Sequence, residues 1–362
     1  MNQSKSYLAH LVAAATLLSS TAGAATLKVA SNGIDTGSCG TSAAPCRSIS
    51  KAIANAAAGD TIEVGPGRYG DIDGDAAFTT PGDEAAEVGS GCNCILHITK
   101  SVKVLSSAGA AVTVIHAGGA SFIDGVRIDA SDVQFGKVNK GFTITGDSGS
   151  SFALVVDGTL AGLTGVIVEG NIVVANDHGF EINGVGTKVR YNWAIGNGER
   201  GFLSNAGAGH EFLGNVATAN GDIGFEAFTP DSTFSKNVAV GNGVNGFAFE
   251  AGGTSDRNSV IGNLQDGIFV NAVNMSDPST LFSHSNIFGN APGPGGTNCG
   301  LNASMLASST NPTLATGTYW GSPGGPGADP ADAVCNDSGF GHVVSATSDA
   351  TKAYKMSVKP LR

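Results

Sequence analysis

One asparagine sets the frame of this chain. It recurs at Asn171, Asn192, Asn215, Asn237 and Asn258, at spacings of 21, 23, 22 and 21 residues. A second follows each five residues later, at Asn176, Asn197, Asn220, Asn242 and Asn263. Gly179-Phe180, Gly201-Phe202, Gly224-Phe225, Gly246-Phe247 and Gly267-Ile268 come next in each copy. In-register copies of a ~22-residue unit mean a stacked architecture, in which each unit buries its apolar face only against its neighbours. The Leu skeleton of a leucine-rich repeat is missing, and helical pairs need longer units with few glycines. The apolar runs are short, as at Ile172–Val174 and Val238–Val240, and each ends at Asn or Gly. They read as short strands joined by sharp turns, where Asn and Gly supply left-handed backbone. Stacking sets Phe180, Phe202, Phe225, Phe247 and Ile268 in one internal column. It also turns the asparagines into corner ladders that satisfy turn backbone. Asn286 and Asn290 form a last, irregular copy after an insertion around residues 274–280.

Composition excludes several alternatives. Gly is 54 of 362 residues without a G-X-Y period, so collagen is out. Charged residues are 14%, against about 25% in an average globular chain. A net charge of −11 argues against nucleic acid or anionic lipid as partner. Residues 1–24 read as a signal peptide: Lys5, an apolar run over 11–18, and the small-x-small site Ala22-Gly23-Ala24. The run is too short to span a bilayer, which takes about 20 apolar residues. A secreted, periplasmic or envelope protein without a membrane span is expected, and in that setting the cysteines suggest disulfides. Cys39 with Cys46, and Cys299 with Cys335, are expected pairs. Cys92 and Cys94 are open between a strained local bridge, partners elsewhere and free thiols.

The repeats, a short amphipathic helix and strand over 48–69, and the Tyr319-Trp320-Gly321-Ser322-Pro323-Gly324-Gly325-Pro326-Gly327 stretch together resemble the right-handed parallel β-helix proteins of the pectate-lyase-like superfamily. The resemblance covers roughly residues 26–335. It implies an all-β fold, a right-handed single-stranded parallel β-helix (solenoid) with a short N-terminal capping helix, and a polysaccharide as partner. The expected organisation is a signal peptide at 1–24, cap and first coils at 25–94, ~22-residue coils at 95–290, a Gly/Pro-rich closing segment at 291–345 and a polar basic tail at 346–362. About nine coils at ~4.8 Å each make a rod roughly 43 Å long.

In a solenoid, chemistry is sought down columns. Between the second Asn and the Gly, one column reads Asp177, Glu199, Asp222, Val244, Gln265; the next reads His178, Arg200, Ile223, Asn245, Asp266. Asp177, His178, Glu199, Arg200 and Asp222 are therefore the candidate catalytic set. Neighbouring carboxylates one coil apart suit acid–base work on a glycosidic bond. Asp177, Glu199 and Asp222 also offer oxygen ligands for Ca²⁺, the one cofactor considered. Glu181, Arg190 and Glu226 are candidate substrate-binding residues. The bland reading is that Asp beside Asn and Gly at a turn simply bonds backbone. Family signatures are incomplete: only His178-Gly179 stands for the polygalacturonase Gly-His-Gly, and Asn176-Asp177-His178 for the epimerase Asp-Pro-His. The functional expectation is a lyase or hydrolase of polysaccharide, with a non-catalytic glycan-binding envelope protein and a uronan epimerase as alternatives. Last, both faces of the strand series Ile172–Val174, Trp193–Ile195, Val216–Thr218 and Val238–Val240 are apolar. Cover by the C-terminal segment of a monomer is expected, with a bound partner or glycan as the alternative, since an open stripe of that size is unusual.

Overall fold

The computed structural model describes residues 23–88, 92–119, 123–271, 281–290, 299–303, 313–327, 331–336, 344–346, 350–356 and 358. Residues 1–22 of the expected 1–24 signal peptide and the 274–280 insertion lie outside the described residues. Each circuit of the chain lays one short strand on each of three sheets. Lys188–Arg190, Trp193–Ile195 and Phe202–Ser204 make one circuit, after which Glu211–Leu213 returns beside Lys188–Arg190. Among the described residues the sheets hold twelve, ten and nine strands, and neighbours pair in parallel. This is a single-stranded parallel β-helix, with the right-handed sense that parallel crossovers take.

Register turns the repeat into columns. Phe180, Phe202, Phe225, Phe247 and Ile268 are successive partners in the ten-stranded sheet. Their rings stack at 4.7, 4.8 and 4.6 Å, within 12° of parallel. A second column, Phe212 and Phe234, meets them edge-on at 6.4 Å. All of these are buried. The asparagines form two ladders through the corners. Each side-chain oxygen accepts the backbone N–H and the Nδ2 of the preceding rung, as Asn215 does from Asn192 at 2.9 and 3.1 Å. Except at Asn197, each Nδ2 also reaches a strand carbonyl, as from Asn215 to Val189 O at 2.8 Å. The first ladder ends on the Ser285 hydroxyl. The second runs to Asn290, whose Nδ2 donates to the Asp332 carboxylate at 2.6 Å.

The helix is Ile49–Asn55, with Ser48 as N-cap and Ile49, Ala52 and Ile53 buried against the first coils. Glu84 binds its free N-terminal donors, taking Ile49 N at 2.8 Å and Ser50 N at 2.6 Å. Lys100 Nζ closes the other end on three carbonyls at 2.9 Å. The disulfides are Cys39–Cys46, Cys299–Cys335 and, settling the open pair, Cys92–Cys94. On the nine-stranded sheet Ile172, Val174, Trp193 and Ile195 are half-buried, while Val216 and Val238 are buried. The Tyr354 backbone pairs with the Asn286 side chain at 2.7 and 3.0 Å, and its hydroxyl donates to Gly317 O at 2.6 Å.

Candidate functional site

The outer face of the ten-stranded sheet gathers most of the charge that the sequence columns promised. In the strand His178–Ile182, Phe180 and Ile182 point into the core, so Glu181 points out. Glu181 lies beside Leu203 and then Glu226 on successive coils. His178 opens the same strand and is 6% exposed, its ring stacked on Phe152 at 4.5 Å. Its Nε2 lies 3.4 Å from Glu199 Oε2 and 3.7 Å from Asp177 Oδ2. Its Nδ1 is buried with no partner among the described residues. Arg200 joins the next coil: Nη1 is 3.3 Å from Glu199 Oε2, and Nε donates to Glu226 Oε2. Asp177 Oδ2 accepts the Ser150 N–H, and Asp177 N donates to Asp147 Oδ1 at 2.7 Å.

Burial decides the protonation of this group. It pulls the His178 imidazole below its usual value, against the opposing pull of Glu199 and Asp177. The ring is therefore neutral at pH 7. Burial pushes the Asp222 and Glu226 carboxyls up, with Arg200 opposing in both. Asp147 is pushed up to about 8 for the same reason, and its Oδ2 is buried without a partner among the described residues. A proton accepted at His178 Nε2 would be stabilised by the two adjacent carboxylates, as a carboxylate does for the imidazolium of a catalytic triad. Glu199, about half-exposed, connects that nitrogen to solvent.

Of the eight residues expected from sequence, Asp177, His178, Glu199, Arg200 and Glu226 form one linked group. Glu181 is on the same face but is engaged by Asn183 and Asn205 Nδ2 at 3.3 and 2.8 Å. Asp222 stands one coil on, where Arg200 and Glu199 act on it electrostatically. Arg190 is elsewhere: it lies on the twelve-stranded sheet in a bidentate pair with Glu211 at 3.0 and 2.7 Å. That pairing raises its pKa and holds it away from the candidate site as a substrate-binding residue. For a metal, the converging donors are Asp177, His178 and Glu199, within 4.8 Å of one another, without Asp222. Ca²⁺ takes oxygen ligands; an imidazole nitrogen in the middle of this trio does not fit it.

Sequence reasoning missed the earlier coils of the same face. Phe152 is the register partner of His178, and Asp124 N-terminal to it is pushed up to about 6 by burial. His97 bridges Glu87 and Asp129 at 2.9 Å each, and Arg127 adds Asp129 at 3.1 Å and the Cys92 carbonyl at 2.8 Å. The bond to Asp129 is the chief cause that raises the His97 pKa above its ordinary value, with burial opposing it. This second group anchors the Cys92–Cys94 loop through the Arg127 bond to the Cys92 carbonyl, while Asp129 Oδ1 is buried without a partner among the described residues.

No family model matches the chain, and no curated protein matches its sequence. Solved structures do resemble it. The A-module of Azotobacter vinelandii mannuronan C-5 epimerase AlgE4 shares 15% identity over 82% of this chain and 91% of its own, with a TM-score of 0.47. Pectate lyase Pel9A shares 17% over 90% and 78%, with a TM-score of 0.46. The Dettilon tailspike protein shares 12% over 77% and 59%, with a TM-score of 0.41. The parallel β-helix is established by this chain's own three-sheet topology. Among the described residues no helix is long and apolar enough to cross a membrane.

Proposed function

We propose that this is an exported enzyme that acts on a uronate-containing polysaccharide by abstracting the proton at C5. The observation that carries this reading is a buried, neutral His178 whose Nε2 sits beside two carboxylates, with Arg200 on the next coil. C5 of a uronate is acidified by its neighbouring carboxylate, and that carboxylate needs a cation once the proton leaves. His178 takes the C5 proton at Nε2, and the resulting imidazolium is stabilised by Asp177 and Glu199. Arg200 Nη2 has no partner among the described residues and is the donor available to the sugar carboxylate. From the carbanion, cleavage of the C4–O bond gives an unsaturated uronate, and Asp222, whose burial favours the protonated form, supplies the leaving oxygen with a proton. Reprotonation at C5 from the opposite side gives the epimer instead.

An extended polymer suits the strip: side chains repeat at ~4.8 Å along a rigid sheet. Three disulfides fit an oxidising compartment outside the cytoplasm. No step runs through Ca²⁺. A second reading, glycoside hydrolysis, is favoured by one observation: Asp222 is a carboxyl with a raised pKa one coil from the exposed Glu199, the asymmetry an acid–base pair needs. Incubation with pectate and alginate separates the two. New ultraviolet absorbance from unsaturated uronate supports the lyase; reducing ends without absorbance support the hydrolase. Unchanged polymer, with no new sugar epimers, leaves the non-catalytic binding rod.

A further inference from the structure

On the coils from Gly170 to Gly317, one corner of the solenoid, between the twelve- and nine-stranded sheets, takes left-handed backbone, with Tyr191 among its occupants at φ 55°. Glycine fills that corner at Gly170, Gly214 and Gly317, with φ of 73°, 66° and 58°. The backbone bonds Gly214 N to Ser235 O, Lys236 N to Asp256 O, Arg257 N to Ser283 O and His284 N to Thr316 O mark equivalent positions on successive coils. At three consecutive coils the chain sets a basic side chain in this corner instead: Lys236, Arg257 and His284, with φ of 57°, 55° and 47°. A side chain with a Cβ is disfavoured in that conformation, where glycine fits freely. A chain with only 19 lysines and arginines thus places two of them, and a histidine, where a neutral glycine is the easier choice.

The C-terminal segment completes the arrangement. Tyr354 is pinned to Asn286 and Gly317, its ring edge-on to His284 at 6.2 Å. Between this segment and the corner lies a cavity of about 180 Å³, whose walls include Lys236, Arg257, Lys355, Tyr354, Val238 and Met356 and, among the described residues, no acidic one. Arg257 and His284 share Asp256 at 3.6 and 3.1 Å. Lys236 and Lys355 make no ion pair among the described residues. The volume equals about six waters at roughly 30 Å³ each, the scale of one sugar ring. Lys236, Val238 and Arg257 line it from the solenoid, and Tyr354, Lys355 and Met356 line it from the C-terminal segment.

We infer that this cavity binds an acidic sugar residue, its carboxylate held by Lys236, Arg257 and Lys355 and its ring against Tyr354. It would act as a holdfast away from the ten-stranded sheet, and only the choice of sugar class rests on the function proposed above. The test is calorimetric titration of the full chain with trigalacturonate and trimannuronate, with maltotriose and sodium sulfate as comparison probes. It is repeated on the Lys236→Gly/Arg257→Gly variant and on His178→Gln. Because glycine already serves this corner, the double variant should fold with an unchanged or higher melting temperature. The inference expects one acidic trimer to bind, more weakly as salt rises, and to lose at least about tenfold in affinity in the double-glycine variant. Binding should persist in His178→Gln, even if that protein proves inactive, so the two proposals fail separately. Equal affinity in the double-glycine variant, equal binding of maltotriose or of sulfate, or no binding of either acidic trimer overturns it.

Discussion

Asp147→Asn should make this protein more stable at neutral pH and less dependent on pH. Asp147 is 5% exposed; one carboxylate oxygen accepts the Asp177 N–H at 2.7 Å and the other has no partner among the described residues. Burial lifts its pKa from 3.8 to about 8, so the folded protein holds this proton far more tightly than the unfolded chain. A carboxyl raised in this way gives its full stability below pH 3.8 and loses it as pH climbs to about 8. The loss has a limit of about 1.4 kcal/mol per pH unit. By pH 7 it amounts to at most about 4 kcal/mol. An amide keeps the bond from Asp177 N through its oxygen and has no proton to lose. Its buried Nδ2 brings back about 1–3 kcal/mol of unsatisfied-donor cost. A net gain of about 2 kcal/mol at pH 7, vanishing or reversing at pH 3, is the expected balance. Guanidinium unfolding of both proteins at several pH values between 3 and 8 measures it, and the difference between them cancels the other titrating groups. A difference that stays flat across that range, or a variant that is weaker at pH 7, refutes the reasoning.

Removing one ladder rung should be costly: Asn215→Ala deletes four buried side-chain hydrogen bonds, worth about 4 kcal/mol together, read as a lower unfolding midpoint. Phe225→Ala empties a core position stacked on both sides and should cost about 3–5 kcal/mol in the same assay. Glu199→Gln, at a half-exposed site, should leave the melting temperature unchanged while lowering turnover. Because burial lowers the His178 pKa, the acid limb of the rate–pH profile should fall below 6.5, the ordinary histidine value. A limb above 6.5 would mean that another group is the base.

The coils were legible where the repeat is regular. Spacings of 21 to 23 residues carry the Phe column and both Asn ladders into register without slippage, so residue number alone shows which side chains stack. Toward the N-terminus the period stretches: Phe152 and His178 are partners 26 residues apart, and Cys94 and Asp124 are 30 apart. Loops of changing length there hid Phe152, Asp147 and the His97 group, although Phe152 and His97 share the candidate site's sheet and Asp147 bonds Asp177 beside it. Arg190 shows a different limit. Its charge and coil were readable, but a three-sided coil has three outward faces, and pairing with Glu211 places it on another one. The buried Glu84 that caps the helix comes from a loop with no periodic signal.

The most direct test of the central claim is proton exchange at C5. Pectate and alginate oligomers are incubated with the protein in deuterated buffer, and deuterium at C5 and unsaturated ends are followed by mass spectrometry and NMR. The account predicts C5 deuterium or unsaturated ends with the native protein on a uronate polymer, and neither with His178→Gln at an unchanged melting temperature. Undiminished exchange or cleavage by His178→Gln, or neither product from any uronate polymer with the native protein, would contradict it.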